Sequence, residues 1–190
     1  MKLVFATNNK HKLAEAKAII GSSYEIMSLK DIGCNEGLPE TGNTIRQNAL
    51  QKAQYVYEKY CVDCFADDTG LEIEALEGRP GVYSARYAGN DCNAENNIEK
   101  VLSELRAAPN RRACFRTVIA LFINGERYFF EGVVEGTILK ERRGDAGFGY
   151  DPVFCPDAYD VSFAEMTSSQ KNAISHRGRA LEKMKDFFNK

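Results

Sequence analysis

Two adjacent carboxylates are the clearest candidates for chemistry in this sequence. Asp67 and Asp68 follow a short apolar run over residues 61–66 and precede Thr69 and Gly70. We expect the pair at the end of a strand, where open α/β sheets usually bind ligands. Adjacent carboxylates repel each other, and Mg²⁺ would hold them together while keeping water and phosphate oxygens as further ligands. The alternative is an ordinary exposed acidic turn. Glu36 and Glu40, in the polar loop over residues 30–43, could add a metal carboxylate if the fold brings them close.

A polar and basic segment stands between the first predicted strand and the first predicted helix. Helix N-termini attract anions because their first backbone N–H groups have no partner within the helix. Lysines at this end oppose the helix dipole, a conflict that a bound phosphate would remove. The alternative is a capped helix with a solvated basic first turn, and the glycines of a P-loop are absent. The segment comprises Thr7, Asn8, Asn9, Lys10, His11 and Lys12.

A segment rich in glycine and aromatic residues is a candidate base-binding loop. Glycines let the backbone approach a ligand, and aromatic rings offer faces on which a base can stack. Such stacking contributes about 1–3 kcal/mol per base. The alternative is a tight turn whose aromatic residues join the core. The segment reads Gly147, Phe148, Gly149, Tyr150, Asp151 and Pro152.

A fourth group of polar residues precedes the last predicted helix. Ser175, His176, Arg177 and Gly178 follow Lys171 at short range. Arginine and histidine are donors that could read a carbonyl group on a purine edge. The alternative is a helix capped by Ser175 with a solvated basic first turn.

The elements that must position these residues follow from hydrophobic periodicity. Thr44 is expected to cap a helix whose apolar face runs from Ile45 to Tyr60, and Asn124-Gly125 is a two-residue hairpin signal. Crossovers combined with a hairpin predict a single α/β domain over residues 1–190 with a mixed sheet. Further helices are predicted over residues 10–20, 94–105 and 176–188, and strands over residues 2–6, 24–29, 61–66, 71–75, 112–123 and 127–134.

Composition excludes several function classes. The 190 residues carry a formal net charge of −2, which argues against a protein that coats nucleic acid. No run approaches the ~20 apolar residues of a membrane span, so we expect a cytoplasmic protein with no membrane partner. The Cys61-x-x-Cys64 pair lacks a second pair and only weakly supports zinc. We expect reduced, mostly structural thiols at Cys34, Cys61, Cys64, Cys92, Cys114 and Cys155.

Taken together, the motifs resemble the inosine triphosphatase family, pyrophosphatases for non-standard purine triphosphates. Three positions depart from the usual family pattern: Asn8 stands for a common glycine, Pro39 for an acidic residue and Gln47 for a glutamate. The similarity runs nearly end to end. It rests on residues 7–12, Glu40-Thr41-Gly42, Asn48-Ala49 with Lys52-Ala53, residues 66–71, residues 80–87, residues 147–154 and Ser175-His176-Arg177.

The resemblance implies an α/β fold with a long mixed central sheet, helices on both sides and two lobes around a nucleotide-binding cleft. It implies magnesium held by Asp68 with Glu40, catalytic roles for Asp68, Asp67 and Lys52, and a homodimer. By the same resemblance, residues 7–12 and Lys52 grip the triphosphate, and Thr69 contacts the substrate. Phe148 stacks on the base in a pocket shaped by Gly149, Tyr150 and Asp151, and Lys171, His176 and Arg177 read the 6-keto edge.

Three rival functions remain open on the sequence alone. One is a related pyrophosphatase for pyrimidine or methylated nucleotides, against which the keto-reading block at His176 and Arg177 argues. A second is a nucleotide sensor without turnover, against which the intact Asp67 and Asp68 argue. A third is a nucleic-acid-binding module, which fits poorly with the net charge.

Overall fold

The described part of the chain, residues 2–21 and 24–189 of the computed structural model, forms a seven-stranded mixed sheet with helices. The strand order is β2-β1-β3-β5-β6-β7, and β4 pairs with β3. Strand β1 is parallel to β2 and β3, whereas β4 and β7 are antiparallel to their partners, so the predicted mixed α/β sheet is confirmed. The strands are β1 Lys2–Phe5, β2 Glu25–Met27, β3 Cys64–Ile73, β4 Pro80–Gly81, β5 Arg112–Ile123, β6 Glu126–Ile138 and β7 Phe154–Pro156; the helices are α1 Lys10–Ile20, α2 Ile45–Tyr60, α3 Ala94–Glu104, α4 Ser168–Ile174 and α5 His176–Phe188.

The chain divides into two compact units. Unit 1 takes residues 1–68, 117–132 and 177–190, and unit 2 takes residues 69–116 and 133–176. Strands β3, β5 and β6 contribute residues to both units. The expectation of a single domain over residues 1–190 stays a prediction.

The sheet of unit 1 is buried on both faces because helices pack against each side of it. Side chains at successive strand positions point to opposite faces. Along β3, Cys64 and Ala66 pack in one apolar cluster with Ala49 and Ala53 of α2. Phe65, between them in sequence, packs in a second cluster with α1 and α5. The predicted helices on both sides of the sheet are therefore present in unit 1.

Helix α2 begins where the sequence predicts. The Thr44 hydroxyl accepts a hydrogen bond from the Gln47 N–H group, and the Gln47 side chain accepts from the Thr44 N–H group. This reciprocal capping satisfies two backbone donors at the start of the helix. Two polar residues, Asn48 and Lys52, lie four positions apart on the buried face of α2. That spacing places both on the side that faces β3.

The core of unit 2 lies between helix α3 and the unit 2 segments of β3, β5, β6 and β7. Ile98, Val101 and Leu105 cover this core, which includes the aromatic rings of Phe115 and Phe154. The two rings meet edge to face with centroids 4.7 Å apart. Burial of such side chains removes about 1.5–3 kcal/mol of unfavourable hydration each.

The prediction that Asp67 and Asp68 end a strand is wrong. Residues 61–66 and 71–75 are predicted as separate strands, but β3 runs unbroken through both carboxylates from Cys64 to Ile73. Buried charges are tolerated in a strand interior when each one is paired, and both carboxylates have cationic partners. Beyond this, β6 continues past residue 134 to Ile138, and α4 Ser168–Ile174 was not predicted.

The cysteines are free thiols, as predicted. Cys34 and Cys64 are buried, whereas Cys61 and Cys92 are exposed. Burial raises the pKa of the Cys64 thiol to about 12, so this thiol is an inert part of the core.

Candidate active site

Asp67 points to the face of β3 that α1 and α5 cover. Its Oδ1 accepts a hydrogen bond from Lys12 Nζ at 3.0 Å, and its Oδ2 accepts from Arg177 Nε at 2.9 Å. Arg177 Nη1 also donates to Glu15 Oε2 at 2.6 Å. The side chains of Arg177 and Asp67 are each 1% exposed. Burial opposes ionisation of Asp67, but Lys12 and Arg177 outweigh it and hold the pKa of the carboxyl well below its usual range.

Asp68 points to the opposite face, toward α2. Lys52 Nζ donates to Asp68 Oδ1 at 3.2 Å and to Glu40 Oε1 at 2.5 Å. The Asn48 side chain approaches Asp68 Oδ2 at 3.4 Å and accepts a hydrogen bond from the Gly42 N–H group. Asn48 thus ties the loop after Glu40 to the same carboxylate. Burial raises the pKa of Asp68 despite the nearby Lys52 ammonium. Burial also disfavours the charged form of Lys52, but Asp68 and Glu40 outweigh it and raise the pKa of Lys52.

The carboxylates of Asp68 and Glu40 fit a hard divalent cation. Mg²⁺ binds through one or two carboxylates and fills its other positions with water and phosphate oxygens. The Lys52 ammonium already stands against both carboxylates, which shows that the position suits a cation. Within residues 2–21 and 24–189, no cluster of three or more histidine, cysteine or acidic residues could hold a metal.

The predicted anion-binding segment lies at the start of α1. The Asn9 side chain caps the helix by accepting hydrogen bonds from the N–H groups of His11 and Lys12. The Asn9 N–H group in turn donates to Thr7 Oγ1 at 3.1 Å. Asn8, Lys10 and His11 are exposed. The segment therefore brings Lys12 to Asp67.

Glu36, considered above as a possible metal ligand, lies with residues of α2 instead. Its Oε1 accepts hydrogen bonds from the Tyr55 hydroxyl, Lys59 Nζ and the Tyr60 hydroxyl, at 2.9, 2.6 and 2.8 Å. Hydrogen bonds from Lys59 and the two tyrosines lower its pKa from 4.5 to about 2. Glu36 thereby anchors the loop that leads to Glu40.

The glycine-rich segment of unit 2 is organised around a buried ion pair. Lys171 Nζ donates to Asp151 Oδ2 at 2.7 Å, and the Phe148 N–H group donates to the same oxygen at 2.8 Å. The Lys171 ammonium also lies 4.7 Å from the centroid of the Phe148 ring. Gly147 has a positive φ of 77°, and a Cβ there would lie 2.1 Å from Asp151 Oδ2. Only glycine permits this turn with Asp151 in place.

The remaining predicted base-site residues of unit 2 differ in exposure. Tyr150 is buried, and its hydroxyl donates to the Ser84 carbonyl at 2.8 Å. The His176 ring is also buried and stacks on Phe115 with centroids 4.5 Å apart. Phe148 and Gly149 are half-buried, and so is Thr69 on β3. Phe148 is therefore the aromatic side chain of this segment with a surface open to a ligand.

The sequence gives only weak signals for several residues that contact the predicted site residues. Glu15 is one acidic residue among many, and only the fold brings it to Arg177. Asn48 could have been found, because an amide beside Lys52 on an apolar helix face is unusual without a buried partner. Arg177 lies with Asp67 and Glu15 in unit 1.

The fold and this site define an α/β protein whose central strand carries two adjacent carboxylates, each of which forms an ion pair with lysine or arginine side chains. A profile of the Ham1 family matches residues 3–187, and the chain belongs to that family. This confirms the resemblance drawn from the motifs.

Curated relatives and solved structures agree with that assignment. A protein named dITP/XTP pyrophosphatase from Porphyromonas gingivalis is 54% identical over 98% of this chain and 96% of its own length. One of the same name from Flavobacterium psychrophilum is 52% identical over 99% of each chain. The structure of the Staphylococcus aureus Ham1 protein superposes with a TM-score of 0.90 at 37% identity, covering 100% of this chain and 98% of that one. Among the described residues, no helix is both long and apolar enough to cross a membrane.

Proposed function

We propose that this protein hydrolyses non-standard purine nucleoside triphosphates, ITP, dITP and XTP, to the monophosphate and pyrophosphate. Such an activity removes deaminated purines from the nucleotide pool before they enter DNA or RNA. Near full-length similarity to proteins named dITP/XTP pyrophosphatase supports the proposal. The observation that carries it is the pair of adjacent carboxylates on β3, Asp67 and Asp68. Their cationic partners are Lys12, Lys52 and Arg177.

In the proposed reaction, the triphosphate is bound by the side chains around Asp67 and Asp68. Phosphoryl transfer depends mainly on positioning and on neutralising charge. Lys12, Lys52 and the polar side chains of residues 7–11 contact the phosphates, and Asp68 orients and helps to deprotonate the water that attacks the α-phosphorus. Asp68 and Glu40 would hold Mg²⁺, which when bound neutralises the leaving pyrophosphate and acidifies water. Asp67 holds Lys12 in place.

The base is recognised by the glycine-rich segment and its neighbours. Phe148 stacks on the purine, Gly149, Tyr150 and Asp151 shape the pocket, and Thr69 contacts the substrate. Lys171 and His176 supply donors for the 6-keto group that hypoxanthine and xanthine share. An adenine amino group would leave such a donor unpaired at a cost of about 1–3 kcal/mol, which is tenfold to hundredfold in discrimination.

For Arg177 we propose a positioning role at Asp67 in place of the keto-edge contact. Its Nε and Nη1 both donate to carboxylates, and its side chain is buried. A guanidinium that donates hydrogen bonds to two carboxylates is well suited to fixing their positions. Arg177 therefore acts on the phosphate side of the reaction through Asp67 and Lys12.

The proposal includes a cytoplasmic homodimer that requires neither nucleic acid nor membrane. The low net charge of −2 agrees with a small-molecule substrate in place of a nucleic-acid partner. Light scattering of the purified protein tests the dimer.

The test of the function is the first product formed from each of ITP, XTP, dITP, GTP and ATP. We expect magnesium-dependent release of pyrophosphate from the three non-standard nucleotides, with ATP largely spared. Orthophosphate as the first product, or no turnover of any purine nucleotide, would contradict the proposal.

A further inference from the structure

The Lys52 ammonium binds the same two carboxylates that are proposed to hold the cation. Lys52 Nζ lies 2.5 Å from Glu40 Oε1 and 3.2 Å from Asp68 Oδ1. The Lys52 side chain is 7% exposed, Asp68 is 12% exposed and Glu40 is 38% exposed. The ammonium therefore occupies a largely buried position whose more open side is Glu40.

The Lys52 ammonium and a bound divalent cation would compete for the carboxylates of Glu40 and Asp68. Mg²⁺ requires near-octahedral oxygen ligands at about 2.0–2.1 Å, and one oxygen of each carboxylate, Glu40 Oε1 and Asp68 Oδ1, is hydrogen-bonded to Lys52. An ammonium left in place would also repel the incoming cation at close range. One of the two charges must move when the other is bound.

The flexible partner is Lys52. Its ammonium is carried on a four-carbon stem, whereas Asp68 is fixed in the interior of β3. Asn48 also holds the Asp68 carboxylate and the loop after Glu40 in position through Gly42. The carboxylates therefore stay close to their places when the ammonium leaves.

We propose that Lys52 is a placeholder that keeps Glu40 and Asp68 together in the nucleotide-free protein and moves to a phosphate oxygen when the cation arrives with the triphosphate. In both states the two carboxylates keep a cationic partner, the single charge of Lys52 or the double charge of the cation. It makes cation binding to the free protein weak and couples it to nucleotide binding. This inference rests on the proposed function for the identity of the incoming ligand.

The alternative is a permanent ion pair in which Lys52 stays on Asp68 throughout. In that case, loss of the lysine would expose an unpaired buried carboxylate and lower stability, but the cation would not compete with the lysine. The two cases differ in the cation affinity of the protein without nucleotide.

The experiment is Mn²⁺ binding to the nucleotide-free protein, measured by calorimetry or by loss of the free-ion EPR signal. We expect Lys52→Met to bind Mn²⁺ at least about tenfold more tightly than the wild type, because the competing ammonium is gone. Lys52→Arg, which keeps the charge, should bind as weakly as the wild type. Lys52→Gln, a polar variant of similar length, repeats the test should the methionine variant fold poorly.

Lys12→Met is the matched control, because Lys12 pairs with Asp67 on the other face of β3. Its effect on Mn²⁺ affinity should be several-fold smaller than that of Lys52→Met. The exchange is overturned if both neutral Lys52 variants bind Mn²⁺ no more tightly than the wild type, or if Lys12→Met tightens binding equally. Pyrophosphate release from ITP by the wild type is assayed separately, so a failed exchange and a failed function are told apart.

Discussion

Asp67 and Asp68 are neighbours in the chain, yet their side chains serve opposite faces of strand β3. Asp67 meets Lys12 of α1 and Arg177 of α5, and Asp68 meets Lys52 of α2. The division follows from the two-residue repeat of a strand. Under the proposed function, the two carboxylates have different tasks: Asp67 anchors cationic side chains, and Asp68 takes part in water and metal chemistry.

Arg177→Met should destabilise the protein strongly. The change leaves Asp67 buried with one cationic partner fewer, and removing one member of a buried ion pair costs about 3–5 kcal/mol. Urea unfolding at neutral pH measures the effect. The control is Arg112→Met, which breaks an exposed pair with Asp157 and should cost less than about 1 kcal/mol. Equal losses in the two variants would show that Asp67 does not depend on Arg177.

Glu36→Gln should change the acid sensitivity of the fold. The pKa of Glu36 is lowered from 4.5 to about 2, so the ionised form stabilises the folded state above pH 4.5. That contribution is lost as the pH falls from about 4.5 to 2. The variant should therefore be less stable than the wild type at pH 6 and equally stable below pH 2.

Urea unfolding of both proteins between pH 2 and pH 6 measures this difference. Glu182→Gln, at an exposed pair with Lys185, serves as the control and should show little change with pH. A constant difference between wild type and Glu36→Gln across the range would mean that the hydrogen bonds to Glu36 do not favour its ionised form.

Gly147→Ala should disrupt the Asp151 turn. Its Cβ would lie 2.1 Å from Asp151 Oδ2 and force this carboxylate away from Phe148 and Lys171. Gly33→Ala is a matched control, because Gly33 has a similar φ of 74° and nothing lies within 4 Å of a Cβ there. Both variants bear the left-handed backbone cost of about 1–2 kcal/mol. Gly147→Ala should lose about 1.5–3 kcal/mol more, from the charged hydrogen bonds of Asp151.

Thermal unfolding and ITP kinetics of the two glycine variants check this prediction. The KM for ITP should rise in Gly147→Ala and stay unchanged in Gly33→Ala. Similar behaviour of the two variants would mean that the position of Asp151 does not matter for the base-binding segment.

Lys171→Met should lower selectivity for keto purines. Loss of the donor should reduce kcat/KM for ITP about tenfold to hundredfold and for ATP much less. The ITP to ATP ratio is the measurement, because loss of folded protein lowers both rates equally and leaves the ratio unchanged. A preserved ratio would remove Lys171 from base recognition.

The sequence predicts most elements because their local signals agree with the fold. Helix α2 begins after Thr44, where the cap and the Gln47 side chain act within one turn. The Asn124-Gly125 turn joins β5 and β6 with both residues at positive φ, as its type requires. Such features depend on neighbouring residues and can be predicted from the sequence without knowledge of tertiary contacts.

The errors come from contacts between distant residues. Strand β3 continues through Asp67 and Asp68 because Lys12 and Arg177 neutralise Asp67, and Lys52 neutralises Asp68. No local pattern contains those partners, so the sequence alone predicts that the strand ends before the two carboxylates. The same cause hides the Glu36 contacts and the pairing of Arg177 with Glu15.

Under the proposed function, Asp68, with Glu40, carries the metal-dependent step. The most direct measurement is pyrophosphate release from ITP by the wild type and by Asp68→Asn, each with Mg²⁺ and with EDTA. We predict that the wild type turns over ITP with Mg²⁺ and not with EDTA. With Mg²⁺, Asp68→Asn should lose at least about 10³-fold in kcat, the scale seen when a residue acting directly in the chemical step is removed. Turnover that survives EDTA, or an Asp68→Asn enzyme with near wild-type kcat, would contradict the account.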